Sequence, residues 1–162
     1  MKALEIANIL LADDDENEEL LLRRAFKKAG LPHNLIAVRD GDQAIEYLSG
    51  TGAYQNREHN PFPALLLLDL KMPRTNGFAV LQWIRQQQEI RRLIVVILTS
   101  SKQDSDIDHA YDLGANSYIT KPGIIDDLTE DMRRLHAYWI EINEKPHCTR
   151  HVCTDHEVLQ QN

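Results

Sequence analysis

Short apolar runs alternate along the chain with longer segments in which apolar residues recur every three or four positions. Runs this uniformly apolar are typical of strands buried on both faces of a parallel sheet. They lie at residues 6–12, 34–38, 65–68, 93–99 and 117–120. The periodic segments predict helices at 15–29, around 44–48, from 76 through 84, at 104–113 and at about 125–143. This alternation predicts a single doubly wound α/β domain, a parallel sheet between two layers of helices.

Polar residues follow the predicted strands at the point where each strand ends. Asp13 and Asp14 come directly after the first strand, and Asp69 follows four consecutive leucines of the third. Thr99 ends the fourth strand, and Lys121 follows the fifth. In sheets of this kind the ligand site lies outside the carboxyl ends of the strands. We therefore expect these five side chains to lie close together at one edge of the sheet.

The chemistry of these side chains points to phosphoryl transfer. Carboxylates crowd together in the ionised state only with a cation among them, and their hard oxygen atoms suit Mg²⁺. A lysine ammonium and a threonine hydroxyl can both contact phosphoryl oxygens. A carboxylate can itself attack phosphorus and hold the group as an aspartyl phosphate. Asp69 is therefore interpreted as a residue that becomes phosphorylated.

Four segments carry a resemblance to a known family. They read ILLADDD, LLLLDLKMPRTNGF, VVILTSS and GANSYITKP, in that order along the chain. Over residues 7–143 the sequence closely resembles the receiver domain of two-component response regulators, as found in single-domain, chemotaxis-regulator-like proteins. The resemblance implies a flavodoxin-like fold whose five parallel strands have the order 2-1-3-4-5 and are flanked by five helices. A receiver domain at 1–145 and a disordered tail at 146–162 are the expected organisation.

The resemblance also implies roles for individual residues around the acidic cluster. Asp69 is the implied phosphoacceptor, and Asp14, Asp69 and the backbone carbonyl of Lys71 are the implied Mg²⁺ ligands. Asp13 is expected to assist, either directly or through a water molecule. The rest of the acidic run at 13–19 has an ordinary explanation as a solvated helix start.

Three further residues receive roles from the same resemblance. Thr99 and Lys121 are expected to contact the phosphoryl group, and Tyr118 matches an aromatic residue that changes rotamer on activation. Taken singly, each has a simpler explanation: a strand-end hydroxyl, a surface lysine and an aromatic packed in a strand. The Lys121–Pro122 peptide bond is usually cis in this family, and a cis bond is expected here.

The side chains beside Asp69 predict a long-lived phosphoryl group. Lys71 and Ser101 lie two residues after Asp69 and Thr99, and both are expected to flank the approach of a hydrolytic water. Neither is a carboxylate or a carboxamide, the groups best able to orient that water. We expect no enzymatic activity beyond Mg²⁺-dependent self-phosphorylation and slow self-dephosphorylation.

Composition narrows the range of partners. The net charge of −7 argues against a nucleic-acid-binding surface. No apolar run approaches the roughly 20 residues of a membrane helix, and no secretory signal is evident, so a cytoplasmic protein with no membrane partner is expected. The stretch after the last helix is too short for a DNA-binding domain. Output through protein–protein contacts is therefore expected, after phosphorylation by a histidine kinase.

The loop at 50–63 and the segment HAYWIEINEKP resemble small regulators that partner with phytochrome-type histidine kinases. Such regulators often form homodimers, which Tyr138, Trp139 and Ile142 would permit. Alternatively, these three side chains simply cover the sheet.

Two other functions would require residues that this chain does not have at the corresponding positions. A phosphatase with an aspartyl nucleophile would need a second acid where Lys71 stands, and a nucleotide-binding domain would need glycines where ADDDEN follows the first strand. A receiver that docks without being phosphorylated remains an alternative. The tail carries five potential zinc ligands, although disorder is the preferred interpretation. These are His147, Cys148, His151, Cys153 and His156.

Overall fold

In the computed structural model, which describes residues 5–146, five parallel strands form one sheet in the order β2-β1-β3-β4-β5. The strands are β1 (Asn8–Ala12), β2 (Asn34–Val38), β3 (Leu65–Leu68), β4 (Ile94–Thr99) and β5 (Ser117–Thr120). The helices are α1 (Glu16–Ala29), α2 (Gly41–Ser49), α3 (Gly77–Gln86), α4 (Asp104–Asp112) and α5 (Ile125–Leu135). The predicted α/β fold and the strand order are confirmed.

The sheet separates two apolar cores, which explains why its strands are apolar throughout. In β3, Leu66 and Leu68 face the core beneath α2, α3 and α4, whereas Leu65 and Leu67 face the core beneath α1 and α5. All four leucines are fully buried. Because successive strand residues point to opposite faces, a strand covered on both sides must be apolar at every position.

Three of the helices have an N-cap residue whose polar side chain binds the first helical turn. Asp15 caps α1 by accepting a hydrogen bond from the backbone N–H of Asn17 (2.8 Å), and Asp40 caps α2 through the N–H of Gln43 (2.8 Å). Asn76 caps α3 in the same way. Such caps satisfy backbone donors that the first helical turn leaves free. Asp15 is therefore a helix cap, as the ordinary explanation of the acidic run requires.

The last helix differs from its prediction. The α-helical part ends at Leu135, and a π-helical segment, His136–Ile142, continues it. The wider turn brings His136 and Glu141, five residues apart, within hydrogen-bond distance (3.1 Å). It also pairs the backbone N–H of Asn143 with the carbonyl of Tyr138. Side-chain and backbone contacts at five-residue spacing thus accompany the change of helix type.

The loop at 50–63 is not wholly irregular. It contains a short 3₁₀ turn, Gly52–Tyr54, and Arg57 donates hydrogen bonds to the carbonyl oxygens of Tyr47, Leu48 and Asn60. An arginine that satisfies several carbonyls fixes the loop against the end of α2. Separately, no helix within residues 5–146 is both long and apolar enough to cross a membrane. The potential zinc ligands of the tail lie outside the described residues.

Candidate functional site

Three carboxylates meet at the carboxyl edge of the sheet. β1 and β3 are neighbours with Ala12 opposite Leu68, so Asp13 and Asp69 emerge side by side. Both are buried, with 1% and 7% of their surfaces exposed, whereas the adjacent Asp14 is exposed. One carboxylate oxygen of each residue lies within 4.8 Å of those of the other two. The sheet register therefore creates this acidic cluster directly.

Lys121 brings a positive charge to the two buried carboxylates. Its ammonium lies 2.7 Å from Oδ2 of Asp13 and 3.4 Å from Oδ2 of Asp69. Burial by itself would lower the pKa of Lys121, but the hydrogen bond to Asp13 and the charges of Asp13 and Asp69 raise that pKa above its ordinary value. Lys121 is therefore charged at every physiological pH. The backbone places it, since its N–H donates to the carbonyl of Thr99 (2.7 Å).

Thr99 and Tyr118 meet at the loop between β4 and α4. Thr99 is fully buried, and its Oγ1 accepts a long hydrogen bond (3.5 Å) from the N–H of Ser101. The Tyr118 hydroxyl donates to the carbonyl oxygen of the same serine (3.0 Å). Burial raises the pKa of Tyr118, and the negative charges of Asp106 and Asp69 act in the same direction. Tyr118 thus packs against the core while its hydroxyl is held by the loop.

The loop after Asp69 folds back tightly on the strand that precedes it. The backbone N–H of Lys71 lies 3.5 Å from Oδ1 of Asp69, and the side chain of Lys71 is exposed. Gly77 donates its N–H to the carbonyl of Leu70 (3.0 Å). A Cβ atom at position 77 would lie 2.2 Å from the carbonyl oxygen of Asp69, so only glycine fits there. The role of the Lys71 carbonyl as a metal ligand stays a prediction.

The expectation of a cis peptide bond between Lys121 and Pro122 is wrong, because this bond is trans in the structure. The trans isomer is the intrinsically favoured one before proline, by roughly 0.5–1 kcal/mol. The trans bond also leaves the ammonium of Lys121 within reach of both Asp13 and Asp69. The placement of the lysine charge thus does not depend on the rarer isomer.

The acidic cluster has the composition of a site for a hard divalent cation. Carboxylate oxygens are the ligands that Mg²⁺ and Mn²⁺ prefer, and two of these three acids are buried beside the third. Within residues 5–146 it is the one group of three or more acidic, histidine or cysteine side chains close enough to hold a metal ion. The residues present fit such a cation.

The structure brings together Asp13, Asp14, Asp69 and Lys121, as the sequence predicted. It also reveals a contact that sequence reasoning missed, between the Ser101 hydroxyl and a carboxylate oxygen of Asp106 (2.5 Å). Nothing in the sequence marks Asp106, because acids are common in the first turn of any helix. Ser101, expected beside the path of water, directs its hydroxyl to α4 instead.

Comparisons with known proteins agree with this geometry. The sequence matches the response regulator receiver domain family over residues 9–133. It is 35% identical to response regulator Rcp1 of Synechocystis over 133 residues, which are 82% of this chain and 88% of Rcp1. A crystal structure of the Mn²⁺-bound form of Rcp1 covers 87% of this chain and 99% of its own, with 34% identity and a TM-score of 0.76.

Two other solved structures are similar over nearly their whole length. A response regulator in red-light signalling of R. palustris has a TM-score of 0.84 and 34% identity, covering 88% of this chain and 99% of its own. The phosphorylated cyanobacterial phytochrome response regulator RcpA has a TM-score of 0.80 and 33% identity, covering 88% and 100%. The acidic cluster, its lysine, the strand order and these matches together show that the chain belongs to the response regulator receiver domain family, close to the phytochrome response regulators.

Proposed function

We propose that this protein is a phosphoryl-accepting response regulator of a two-component system, phosphorylated on Asp69 by a histidine kinase. One observation carries the proposal: the buried carboxylates of Asp69 and Asp13 lie beside Asp14 and share the ammonium of Lys121. A buried acid surrounded by metal-binding oxygens and a fixed positive charge is suited to accept a phosphoryl group.

The proposed reaction moves one phosphoryl group between two side chains. A carboxylate oxygen of Asp69 attacks phosphorus, an O–P bond forms, and the N–P bond to the kinase histidine breaks. The electron pair of that bond returns to the imidazole nitrogen, so no redox partner is required. Mg²⁺, held by Asp13, Asp14, Asp69 and the carbonyl of Lys71, would neutralise charge on the phosphoryl oxygens.

Lys121 and Thr99 complete this site. Lys121 already contacts Asp69 (3.4 Å), so its ammonium is placed to donate a hydrogen bond to a phosphoryl oxygen. The buried hydroxyl of Thr99 is proposed to contact another phosphoryl oxygen. Tyr118 is proposed to change rotamer in response, which alters the surface around it. The protein then acts on its own phosphoryl group alone, which it accepts and slowly hydrolyses.

A phytochrome-type histidine kinase is the proposed phosphoryl donor, because relatives of the chain are phytochrome response regulators. Apolar side chains are available for such a partner near the acidic cluster. Leu21 is exposed on α1 and lines a cleft of about 180 Å³ together with Asp13 and Lys121. Ile124, just before α5, is also exposed. Apolar residues around a reactive centre are typical of a protein-docking surface.

The C-terminal part of the domain supports a second contact. Trp139 packs against the core and so covers the sheet. Tyr138 and Ile142 are 52% and 69% exposed and remain available for a dimer contact. We propose that Tyr138 and Ile142 take part in a homodimer of this receiver domain. The receiver domain is proposed to occupy residues 1–145, and nearly all of the expected tail at 146–162 lies outside the described residues.

Phosphotransfer in vitro tests the proposed function. The protein is incubated with a phosphorylated phytochrome-type histidine kinase and Mg²⁺, and the label on the regulator is followed with time. Asp69→Asn is expected to abolish labelling, and a chelator is expected to do the same for the wild type. Asp15→Asn makes the same charge change at a helix cap outside the cluster, so it should be labelled normally. Full labelling of Asp69→Asn would refute the assignment.

A further inference from the structure

Ser101 is a buried residue whose three polar groups reach three different parts of the fold. It is 6% exposed, and it lies in the loop that joins β4 to α4. Its hydroxyl donates to Asp106 (2.5 Å), and its carbonyl accepts from Tyr118 (3.0 Å). Its N–H faces Oγ1 of Thr99 at 3.5 Å. One residue thus joins the strand-end hydroxyl, the aromatic side chain and the fourth helix.

The contact with Asp106 lies at the start of α4, where the N-cap residue provides no side-chain cap. The N-cap residue of α4, Gln103, makes no side-chain capping hydrogen bond. Instead, the N–H of Gln103 points to the Ser101 hydroxyl (3.4 Å), and the N–H of Asp106 donates to the carbonyl of Gln103 (3.0 Å). The first turn of α4 and the loop before it are therefore held together through Ser101.

We infer that Asp106 is a positioning residue of the phosphorylation switch, acting through the Ser101 hydroxyl to fix the carbonyl that holds Tyr118. The inference rests on the proposed function and names how the site communicates with α4. A movement of Thr99 toward a phosphoryl group would displace the same loop. Because Ser101 is bonded to α4 and to Tyr118, both would respond to that displacement together.

The strength of this link follows from its chemistry. A hydroxyl that donates to a carboxylate forms a charge-assisted hydrogen bond, which is stronger than one between neutral groups. Removing Asp106 leaves the buried Ser101 hydroxyl without its acceptor, and removing the hydroxyl leaves the half-buried Asp106 without this donor. The loop would then have more than one position available, and the Tyr118 hydroxyl would no longer meet its acceptor in a fixed geometry.

Fluorine NMR of the full chain labelled with fluorotyrosine tests the inference. The Tyr118 signal is assigned with Tyr118→Phe and recorded with Mg²⁺, before and after addition of acetyl phosphate. Ser101→Ala and Asp106→Ala remove the same hydrogen bond from opposite ends. Ser101→Thr retains the hydroxyl, and Asp108→Ala is the matched control, because Asp108 is an exposed acid on the same helix. A phosphate-affinity gel measures the phosphorylated fraction of each sample.

Ser101→Ala and Asp106→Ala are both expected to shift the resting Tyr118 signal in the same direction and to reduce its response to acetyl phosphate to less than half. The double variant should show no further change, since both substitutions break one contact. Ser101→Thr and Asp108→Ala should behave as the wild type does. If phosphorylated Asp106→Ala gives the same Tyr118 signals as Asp108→Ala, the role of Asp106 is refuted while the proposed function stands. A wild-type protein that takes up no phosphoryl group refutes the proposed function and the switch role with it.

Discussion

The two ends of the sheet hold buried and half-buried polar side chains in different charge states. At the carboxyl end, Asp13, Asp69 and Lys121 form a cluster of opposite charges. At the amino end, His33 and His136 lie 2.8 Å apart between a backbone amide and a carboxylate. Within residues 5–146 no buried side-chain nitrogen or oxygen lacks a hydrogen-bond partner, so both ends are satisfied. Of the two ends, the carboxyl end has the ammonium group that suits an added phosphoryl group.

The hydrogen bonds at the amino end fix the protonation of both histidines. The N–H of Ala7 donates to Nδ1 of His33 (3.2 Å), so that nitrogen carries a lone pair. Nε2 of His33 must then donate to Nδ1 of His136, and Nε2 of His136 to Glu141. An added proton on either ring has no acceptor within this chain of bonds. The two imidazole rings thus form a neutral structural contact between the residues that precede β1 and β2 and the π-helical segment.

Burial alone does not decide whether a titratable side chain in this fold is charged. Burial, with a contribution from the neighbouring His136, lowers the pKa of His33 to about 4, although Glu5 opposes the shift. Burial also acts to lower the pKa of Lys121, but the adjacent carboxylates reverse the result. The carboxylates therefore keep Lys121 charged, whereas burial and the neighbouring His136 favour the neutral form of His33.

The largest effect is expected from removing the positive charge at the carboxyl end. In Lys121→Met, phosphorylation by acetyl phosphate should slow by about two orders of magnitude, because a preorganised donor to the transferring group is lost. Affinity for Mg²⁺ should increase, since the competing ammonium is gone. Labelling rates and calorimetric Mg²⁺ titration measure the two effects. Lys28→Met, which removes an exposed lysine paired with Asp126, is the control.

An unchanged phosphorylation rate in Lys121→Met would contradict the account of the carboxyl end. It would mean that the lysine serves only to neutralise Asp13 and Asp69 in the resting protein.

A smaller effect is expected from Lys71, the exposed residue two places after Asp69. Its ammonium can pair with a phosphoryl oxygen while its stem covers the approach of water. Lys71→Asn should speed hydrolysis of the aspartyl phosphate by about an order of magnitude, a barrier change of about 1.4 kcal/mol. The decay of the phosphorylated protein, measured with Mg²⁺ after removal of the donor, tests this. Equal or slower decay would show that Lys71 does not control access of water.

The smallest effect is expected at the amino end of the sheet, as a dependence of the free energy of unfolding on pH. Because the pKa of His33 is about 4 in the folded protein and 6.5 ordinarily, the unfolded chain binds the proton first as pH falls. The contribution of His33 to the free energy of unfolding should therefore be fully present above its ordinary pKa. It should decline as the pH falls from 6.5 to about 4. Since His33 is only half-buried, we expect a loss of about 1 kcal/mol, well below a full conversion of the shift.

Urea unfolding across this pH range measures the decline. His33→Asn retains an acceptor for the N–H of Ala7 but does not titrate, so its stability should depend less on pH. His59→Asn removes an exposed histidine and should retain the wild-type pH dependence. Phosphorylation of Asp69 should be unaffected in both variants. Identical pH profiles for His33→Asn and the wild type would contradict the neutral assignment of this end.

Sequence reasoning succeeded where a feature follows from local pattern and strand register. The apolar runs predicted the strands, and polar residues directly after them predicted the convergence of Asp13, Asp69 and Lys121. It failed where the feature depends on residues distant in sequence. His33 and His136 are 103 positions apart, and no periodicity connects them. The π-helical segment begins at His136, the residue that makes this distant contact, whereas the apolar pattern predicted one continuous helix.

The wrong prediction of a cis Lys121–Pro122 bond has a different cause. It came from a family resemblance and not from the residues themselves, and sequence alone does not determine the isomer before a proline. The contact of Ser101 with Asp106 was missed because both residues are ordinary for a loop and a helix start. Only the three-dimensional arrangement shows that they meet.

Direct mapping of the modified residue tests the central claim most closely. The full chain is treated with acetyl phosphate, with Mg²⁺ or with a chelator, and then with borohydride, which reduces an aspartyl phosphate to a stable homoserine. Peptide mass spectrometry locates that residue. Homoserine is expected at position 69 alone, and only in the sample with Mg²⁺. Homoserine at Asp13 or Asp14 instead, or equal modification in the presence of chelator, would contradict the central claim.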